Sequence, residues 1–197
     1  MWRIVAKFLG LLFLFKAAHA GPLFDAAEMG ETTTVRALLE SGASVDERGP
    51  NAATPLIVAA LAGKSETAAV LVDAGADVMA RNRSGFTPLH AAAYGGQIDV
   101  ARLLMANGAD INANTNRAGK TPIYMAADEG HIDVVKLLLA EGADVSNVDK
   151  SGFTVLIRAM FRKRYDVVSV LKNHGARCPP PEAFGDEFHR ACEQAGE

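Results

Sequence analysis

The apolar positions of this chain fall into short blocks of two alternating kinds. One kind is rich in alanine and follows a Thr-Pro dipeptide, and the other places branched residues three and four apart, as at Val100, Leu103 and Leu104. The second spacing is that of a helix with one apolar face. Thr accepts a free amide at the start of a helix and Pro fits its first turn, so the Thr-Pro blocks also indicate helices. The pattern therefore predicts pairs of short helices along most of the chain.

These pairs recur at a nearly constant spacing along the chain. One glycine recurs between the two helices of each unit and another just after the second helix, except that Lys163 replaces the earlier glycine in the last unit. The later glycine suits a left-handed helix end. Two short helices bury their apolar faces only against neighbouring pairs, so the repeat predicts a stack of units with one continuous core. The starts are Gly21-Pro22-Leu23-Phe24, Thr54-Pro55-Leu56-Ile57, Thr87-Pro88-Leu89-His90, Thr121-Pro122-Ile123-Tyr124 and Thr154-Val155-Leu156-Ile157, and the later glycines are Gly42, Gly75, Gly108, Gly142 and Gly175.

The chain resembles the ankyrin-repeat family in several of these segments. The resemblance covers residues 21 to about 177 and implies an all-α solenoid of five helix-turn-helix units joined by hairpin loops. It also implies that His90 and His131 form hydrogen bonds within and between repeats. The implied repeats are 21–53, 54–86, 87–120, 121–153 and 154–177, followed by a capping tail at 178–197. The most similar segments are His90-Ala91-Ala92-Ala93, Gly108-Ala109-Asp110-Ile111-Asn112 and Gly130-His131-Ile132-Asp133-Val134-Val135-Lys136-Leu137-Leu138.

Residues 1–20 have the pattern of a secretory signal. Arg3 and Lys7 give a basic start, an unbroken apolar run follows from Phe8 to Phe15, and small residues precede the expected cleavage between Ala20 and Gly21. The alternative is an uncleaved membrane anchor, but a span needs about 20 apolar residues and lysines interrupt this stretch. We therefore expect a periplasmic or secreted protein with no membrane span after cleavage, similar to exported ankyrin-repeat proteins of bacteria.

Charge and composition argue against a nucleic-acid-binding protein, a disordered chain and a protein with a deep ligand pocket. Residues 1–20 contain three of the 20 basic residues and none of the 23 acidic ones, so the remainder carries 17 against 23, a net charge of −6. An acidic balance disfavours nucleic acid, which needs a clustered basic face. The apolar share of 49% excludes a disordered chain. Few aromatic residues and abundant alanine suit closely packed helices better than a deep pocket.

Sequence motifs for catalysis are missing. The chain has no Gly-x-Ser-x-Gly, no His-Glu-x-x-His and no Cys-x-x-Cys. Gly63-Lys64-Ser65 and Gly119-Lys120-Thr121 lack the earlier glycine that a phosphate loop requires. We therefore predict no enzymatic activity, no cofactor and no metal site.

The segment after the last repeat contains both cysteines, Cys178 and Cys192. Outside the cytoplasm such a pair favours a disulfide, and free thiols or a weak metal site with nearby histidines are the alternatives. Phe184, Phe188, Ala191 and Cys192 have helical spacing and predict a short helix that covers the final repeat. Gly185 weakens that helix, so a frayed tail is the alternative.

Partner-binding residues are expected on hairpin tips and on the exposed face of the first helices, as the resemblance implies. Tyr94 and Phe161 are the favoured anchors, because aromatic side chains dominate interface energetics. Packing between repeats and solvated hairpin charge are the alternatives. A positive ridge across successive hairpins, formed by Arg83, Arg117, Lys120 and Lys150, indicates an acidic partner. The candidate residues are Arg83, Phe86, Tyr94, Arg117, Lys120, Asp128, Glu129, Lys150, Phe161 and Arg162.

These observations favour a non-enzymatic protein-protein interaction module in the periplasm, expected to be a monomer, that binds a protein partner on a preformed surface. An alternative is an accessory or protective subunit of an exported enzyme, for example in stress defence. The chain has no catalytic motif that would favour an enzyme. It also has no visible further export signal, which an effector secreted beyond the cell would need.

Overall fold

The computed structural model describes residues 21–195. The predicted secretory signal, with its cleavage after Ala20, lies outside the described residues. The described chain is helical, with twelve α-helices, one 3-10 turn and one isolated β-bridge between Val148 and Thr154. None of these helices combines the length and hydropathy needed to cross a bilayer.

Ten of the helices form five successive pairs, and two more follow at the carboxyl end. The predicted all-α solenoid is confirmed. The helices are α1 Pro22–Met29, α2 Thr32–Glu40, α3 Pro55–Leu61, α4 Ser65–Asp73, α5 Pro88–Gly95, α6 Ile98–Ala106, α7 Pro122–Glu129, α8 Ile132–Ala140, α9 Val155–Phe161, α10 Tyr165–Asn173, α11 Pro181–Phe184 and α12 Asp186–Gln194.

Local sequence sets the helix ends. The Thr54 hydroxyl accepts the amide of Ile57 at the start of α3, and Thr154 caps α9 in the same way. Gly42 and its equivalents after the other second helices all have φ between +85° and +93°, which only glycine adopts without strain. Lys163 takes a φ of +56° where the other pairs have glycine.

The pairs stack in two layers around one continuous core. Each first helix contacts the first helix of the next pair, from α1 to α9, and each second helix likewise contacts the next. Alanine and leucine fill the seam between them, including the fully buried Ala59, Leu89, Ala93, Leu104 and Leu138. Since alanine has a short side chain, the first helices pack closely, and their outer turns form a continuous face.

Hairpins between the pairs are linked to one another by backbone hydrogen bonds. The amide of Arg83 donates to the Asn51 carbonyl, that of Arg117 to Ser84, and that of Lys150 to Ala118, at 2.7, 3.0 and 2.9 Å. The hairpins at 82–86, 116–120 and 149–153 each begin with Asn or Asp, whose Oδ1 accepts two amides of the same turn. Side chains at matching positions of these hairpins therefore stand side by side.

The tail folds back on the last pair. A disulfide joins Cys178 and Cys192, as predicted, so the free-thiol and metal alternatives do not apply. The predicted tail helix is present, but Gly185, with a φ of +88°, divides it into α11 and α12. Ala191, which was expected on the buried stripe, is exposed. The Lys172 ammonium donates to three carbonyl oxygens near the end of α12 rather than to the acidic side chains of the tail.

Candidate functional site

The last turns of α3, α5, α7 and α9 present one residue each on the same face of the stack. These are Leu61, Tyr94, Asp128 and Phe161, which occupy the same position in four successive units. Leu61, Tyr94 and Phe161 keep 44, 45 and 50% of their surface exposed, whereas Asp128 is buried. The predicted anchors Tyr94 and Phe161 thus lie on one face, but their surroundings differ.

An apolar pocket lies around Tyr94. Its volume is about 230 Å³, and its walls come from three successive helix pairs and one hairpin. Tyr94 and Phe86, both predicted from sequence as binding residues, are brought together here. Ile57 and Met125 were not among the predicted residues, because apolar side chains on short helices are read as core until the neighbouring repeats are in place, whereas Leu61 lies on the first-helix face that the sequence indicates. The lining residues are Ile57, Leu61, Asn82, Phe86, His90, Ala91, Tyr94 and Met125.

His90 forms the buried floor of this pocket. Its Nδ1 accepts the Thr87 amide at 3.2 Å, so its Nε2 carries the proton and donates to the Lys120 carbonyl at 2.9 Å. Burial lowers the pKa of His90 to about 4, although its backbone hydrogen bonds oppose the shift. His90 is therefore neutral at physiological pH and ties α5 to the following hairpin, and its bonds to Thr87 and Lys120 confirm the expected hydrogen bonding within the repeat 87–120.

The backbone beneath Tyr94 is held from the next pair. The Nε2–H of His131 donates to the Tyr94 carbonyl at 2.9 Å. The expected inter-repeat bond of His131 is thereby confirmed as well. Because Tyr94 sits at the last turn of its helix, this bond anchors a carbonyl that has no partner within the helix. The anchor side chain consequently projects from a fixed backbone.

A row of basic side chains runs along successive hairpin tips, starting at the hairpin that contributes to the pocket. Arg83, Arg117 and Lys150 occupy the same position in successive hairpins and are exposed. Within residues 21–195 none of the three forms an ion pair, so the hairpin tips carry three solvated positive charges. We call these three residues the basic ridge. Arg83 follows directly after Asn82, which lines the pocket, and the Arg117 amide binds the same hairpin.

Lys120, which the sequence places in the positive ridge, lies in an ion cluster around Asp128 instead. Its ammonium lies 3.8 Å from Asp128 and 4.8 Å from the centre of the Tyr124 ring. Arg158 binds Asp128 through two hydrogen bonds of 2.8 and 3.1 Å, and Arg162 donates a third. The expectation that Asp128 is an exposed group is wrong, because Arg158 and Arg162 of the next pair and Lys120 of the preceding hairpin cover it.

The electrostatics of this cluster follow from its geometry. Burial alone raises the pKa of Asp128, but the hydrogen bonds and charges of Arg158 and Arg162 outweigh it, and the pKa lies below its ordinary value. Glu129, also a predicted binding residue, lies half-buried beside this cluster at the end of α7. Arg158 was not predicted, although its place at the start of the last unit, in phase with Ala91 and Met125, is a visible departure from small or apolar residues.

Phe161, the second predicted anchor, is covered in part by the chain itself. Its ring centre lies 5.4 Å from that of Phe153, 5.9 Å from Phe184 and 5.3 Å from Phe188. Phe153 belongs to the preceding hairpin, and the other two rings come from the tail. The face of the stack therefore has an open apolar pocket at Tyr94, an ion cluster at Asp128 and an aromatic cluster at Phe161.

A family model described as ankyrin repeats (three copies) matches residues 23–115 and 112–180. The chain belongs to the ankyrin-repeat family. Comparison with curated proteins gives no match. Ankyrin repeats are modules of protein-protein interaction and are in general not enzymes. Among residues 21–195, no group of three or more His, Cys, Asp or Glu side chains is placed to hold a metal ion.

Proposed function

We propose that this chain is a non-enzymatic, monomeric interaction module of the periplasm. Its partner is a protein that docks on the hairpin tips and the first-helix face around Tyr94. The observation that carries the proposal is the open apolar pocket of about 230 Å³, walled by Leu61, Phe86 and Tyr94, with Arg83 of the basic ridge directly after the pocket residue Asn82. Exposed apolar patches rimmed by polar residues mark interaction sites on otherwise polar surfaces.

The proposed location is supported by two features at opposite ends of the chain. Residues 1–20 have the basic start, apolar run and small-residue cleavage site of a secretory signal. The disulfide between Cys178 and Cys192 is of a kind that persists in oxidising compartments. Cell fractionation with amino-terminal sequencing tests the location, and a cytoplasmic protein that begins at Met1 would refute it.

The mechanism of binding is docking on a preformed surface. Tyr94 and Phe86 are carried by elements whose backbones are held by hydrogen bonds from neighbouring units, so little conformational entropy is lost on association. Aromatic and apolar walls supply buried area, and the basic ridge attracts an acidic surface from a distance. Tyr94 keeps 45% of its surface exposed and the residues of the basic ridge are exposed, so both contributions are available to a partner.

Partner capture tests this surface. We expect the double substitution Tyr94→Ala with Arg117→Ala to reduce capture of the partner by crosslinking in native periplasm at least ten-fold. The control pair is Tyr165→Ala with Arg102→Ala, which removes an exposed aromatic and an exposed arginine from the second-helix layer. Both proteins should keep the thermal midpoint of the parent. Undiminished capture by a folded Tyr94/Arg117 variant would remove this surface from the proposal.

A further inference from the structure

The pocket at Tyr94 has a matched copy in the last helix pair. Phe153 and Phe161 occupy the same two positions of the repeat as Phe86 and Tyr94, two units further along the chain. In each case the first aromatic residue ends a hairpin and the second stands at the last turn of the following helix. The repeat therefore places an aromatic pair at the same two positions twice, with Phe86 against the ring of His90 in one copy and Phe153 against that of Phe161 in the other.

Only the copy in the last pair is occupied. Phe184 and Phe188 of the tail lie on Phe161 with ring-centre distances of 5.9 and 5.3 Å, and Phe184 lies 6.1 Å from Phe153. In the intervening pair the same two positions hold Lys120 and Asp128, 3.8 Å apart. This ion pair separates the two aromatic sites, and the Tyr94 pocket stays open within the part of the chain that the structure describes.

The segment on the occupied copy has a defined chemistry. It presents two phenylalanines, one at the end of α11 and one in the first turns of α12, with Glu182, Asp186 and Glu187 around them. The hairpin of that site carries Lys150, the matching residue of Arg83 at the open site. Both copies thus combine an aromatic pair with a basic residue on the adjoining hairpin, and the chain itself fills one of them with an acidic, phenylalanine-bearing segment.

We infer that the open pocket binds a partner segment of the same kind, a short acidic helix that presents phenylalanine side chains. This inference rests on the proposed function and specifies the partner's chemistry. The pocket has room for a phenyl ring, since a dry cavity of about 150 Å³ accepts benzene. Ile57, Leu61 and Met125 supply apolar walls, and a thioether makes favourable contacts with aromatic rings. Arg83 and Arg117 are exposed on the adjoining hairpins, and their positive charge attracts acidic residues that flank the phenylalanine.

A titration with the chain's own tail sequence tests this directly. The probe is a synthetic peptide of residues 180–190, acetylated and amidated, added up to millimolar concentration to the ¹⁵N-labelled full chain and followed by NMR. We expect saturable shifts of amides around Leu61, Phe86 and Tyr94. The substitution Tyr94→Ala should weaken binding at least ten-fold, and Arg83→Ala with Arg117→Ala should weaken it several-fold and remove its salt dependence. Tyr165→Ala is the matched aromatic control and should leave binding unchanged.

Variant peptides separate the contribution of the phenyl rings to binding from that of the acidic side chains. Replacing Phe184 and Phe188 by Ala in the peptide should abolish the shifts, and replacing Glu182, Asp186 and Glu187 by their amides should weaken binding several-fold. Absence of shifts with the parent peptide would overturn the inference, as would shifts confined to the surroundings of Phe161. A dimer in sedimentation velocity that Tyr94→Ala dissociates would overturn it too, since the occupant would then be a second copy. Partner capture that depends on Tyr94, without peptide binding, would leave the proposed function standing and refute only this partner chemistry.

Discussion

The hydroxyl of Tyr124 donates a 2.7 Å hydrogen bond to Asp149, and both residues are buried. Tyr124 stands at the position that His90 holds in the preceding unit, where the imidazole donates to the Lys120 carbonyl. The two side chains perform the same task with different chemistry, since each ties a first helix to the hairpin after it. Burial, followed by the bond to Asp149, raises the pKa of Tyr124 well above its ordinary value, so the hydroxyl stays a donor.

Tyr124→Phe should lower the free energy of unfolding by about 2 kcal/mol, because a hydrogen bond to a charged acceptor contributes about 1.5–3 kcal/mol. Asp149 keeps the amides of Ser151 and Phe153 as donors, which limits the loss. Urea unfolding at pH 7 measures it. Tyr94→Phe removes the same hydroxyl from an exposed ring and should change stability by less than about 0.5 kcal/mol. Equal effects of the two substitutions would contradict the importance of the Asp149 bond.

His90 should make the protein less stable as the pH falls below neutral. Its pKa is 6.5 when unfolded and about 4 in the fold, so between these values the unfolded chain binds a proton that the folded one does not. Stability that is present above pH 6.5 is therefore lost progressively toward pH 4, by about 3 kcal/mol in total. Urea unfolding at pH 7 and pH 4.5 measures this difference.

The comparison variant for that measurement is His90→Gln. It should be less stable at pH 7, because the imidazole bonds are lost, and its stability should depend less on pH between 6.5 and 4. His131→Gln leaves His90 in place, so the stability of this control should depend on pH as that of the parent does. A His90→Gln protein with the parent's full acid sensitivity would show that other groups cause it.

Asp128→Asn should cost about 2 kcal/mol at pH 7, since it leaves three cations without their shared partner. Arg158 and Arg162 keep contact with water, which holds the loss below that of a fully buried pair. Because the folded pKa of Asp128 lies below its ordinary value, the contribution is complete above that ordinary value and is lost as the pH falls through the folded pKa. Glu129→Gln is the neighbouring control and should change stability little. An Asp128→Asn protein as stable as the parent at pH 7 would refute the role of the cluster.

Removing the disulfide should loosen the tail before it affects the rest of the stack. A bridge with a sequence separation of 14 contributes about 3 kcal/mol by restricting the unfolded chain. Cys178→Ala with Cys192→Ala should lower the thermal midpoint and speed amide hydrogen exchange in α12, whereas α3 to α6 should keep their protection. Thiol counting on the denatured, unreduced parent should find no free thiol, and two free thiols would contradict the bridge.

Lys163→Gly should stabilise the protein by up to about 1 kcal/mol. Lys163 has a φ of +56°, a left-handed conformation that costs a residue with a Cβ atom about 1–2 kcal/mol, and glycine's greater freedom in the unfolded chain offsets part of the gain. Lys163→Ala retains the Cβ atom and should give no such gain. Thermal unfolding of both variants measures the difference, and equal midpoints would show that the left-handed backbone is not the cause.

Some candidate binding residues could be placed from sequence because they recur at fixed positions of the repeat. Tyr94 and Phe86 stand at fixed offsets from Thr87, so their presence on one face follows from the repeat. The burial of Asp128 in an ion cluster could not be predicted in this way. Its cations, Arg158 and Arg162, belong to the next unit, and their approach depends on the helix-to-helix register between neighbouring pairs.

The sequence by itself determined the helix pairs, their period and the glycine turns, because each depends on local backbone preferences or on a repeat within the chain, whereas the pairing of the two cysteines was favoured by the sequence and decided by the fold of the tail. Tertiary structure alone decided which equivalent side chains are free. Leu61, Tyr94, Asp128 and Phe161 share one phase, yet Asp128 is covered by arginines of the next pair and Phe161 by the returning tail. That outcome depends on what the neighbouring unit presents at contact distance, and a position within the repeat does not encode it.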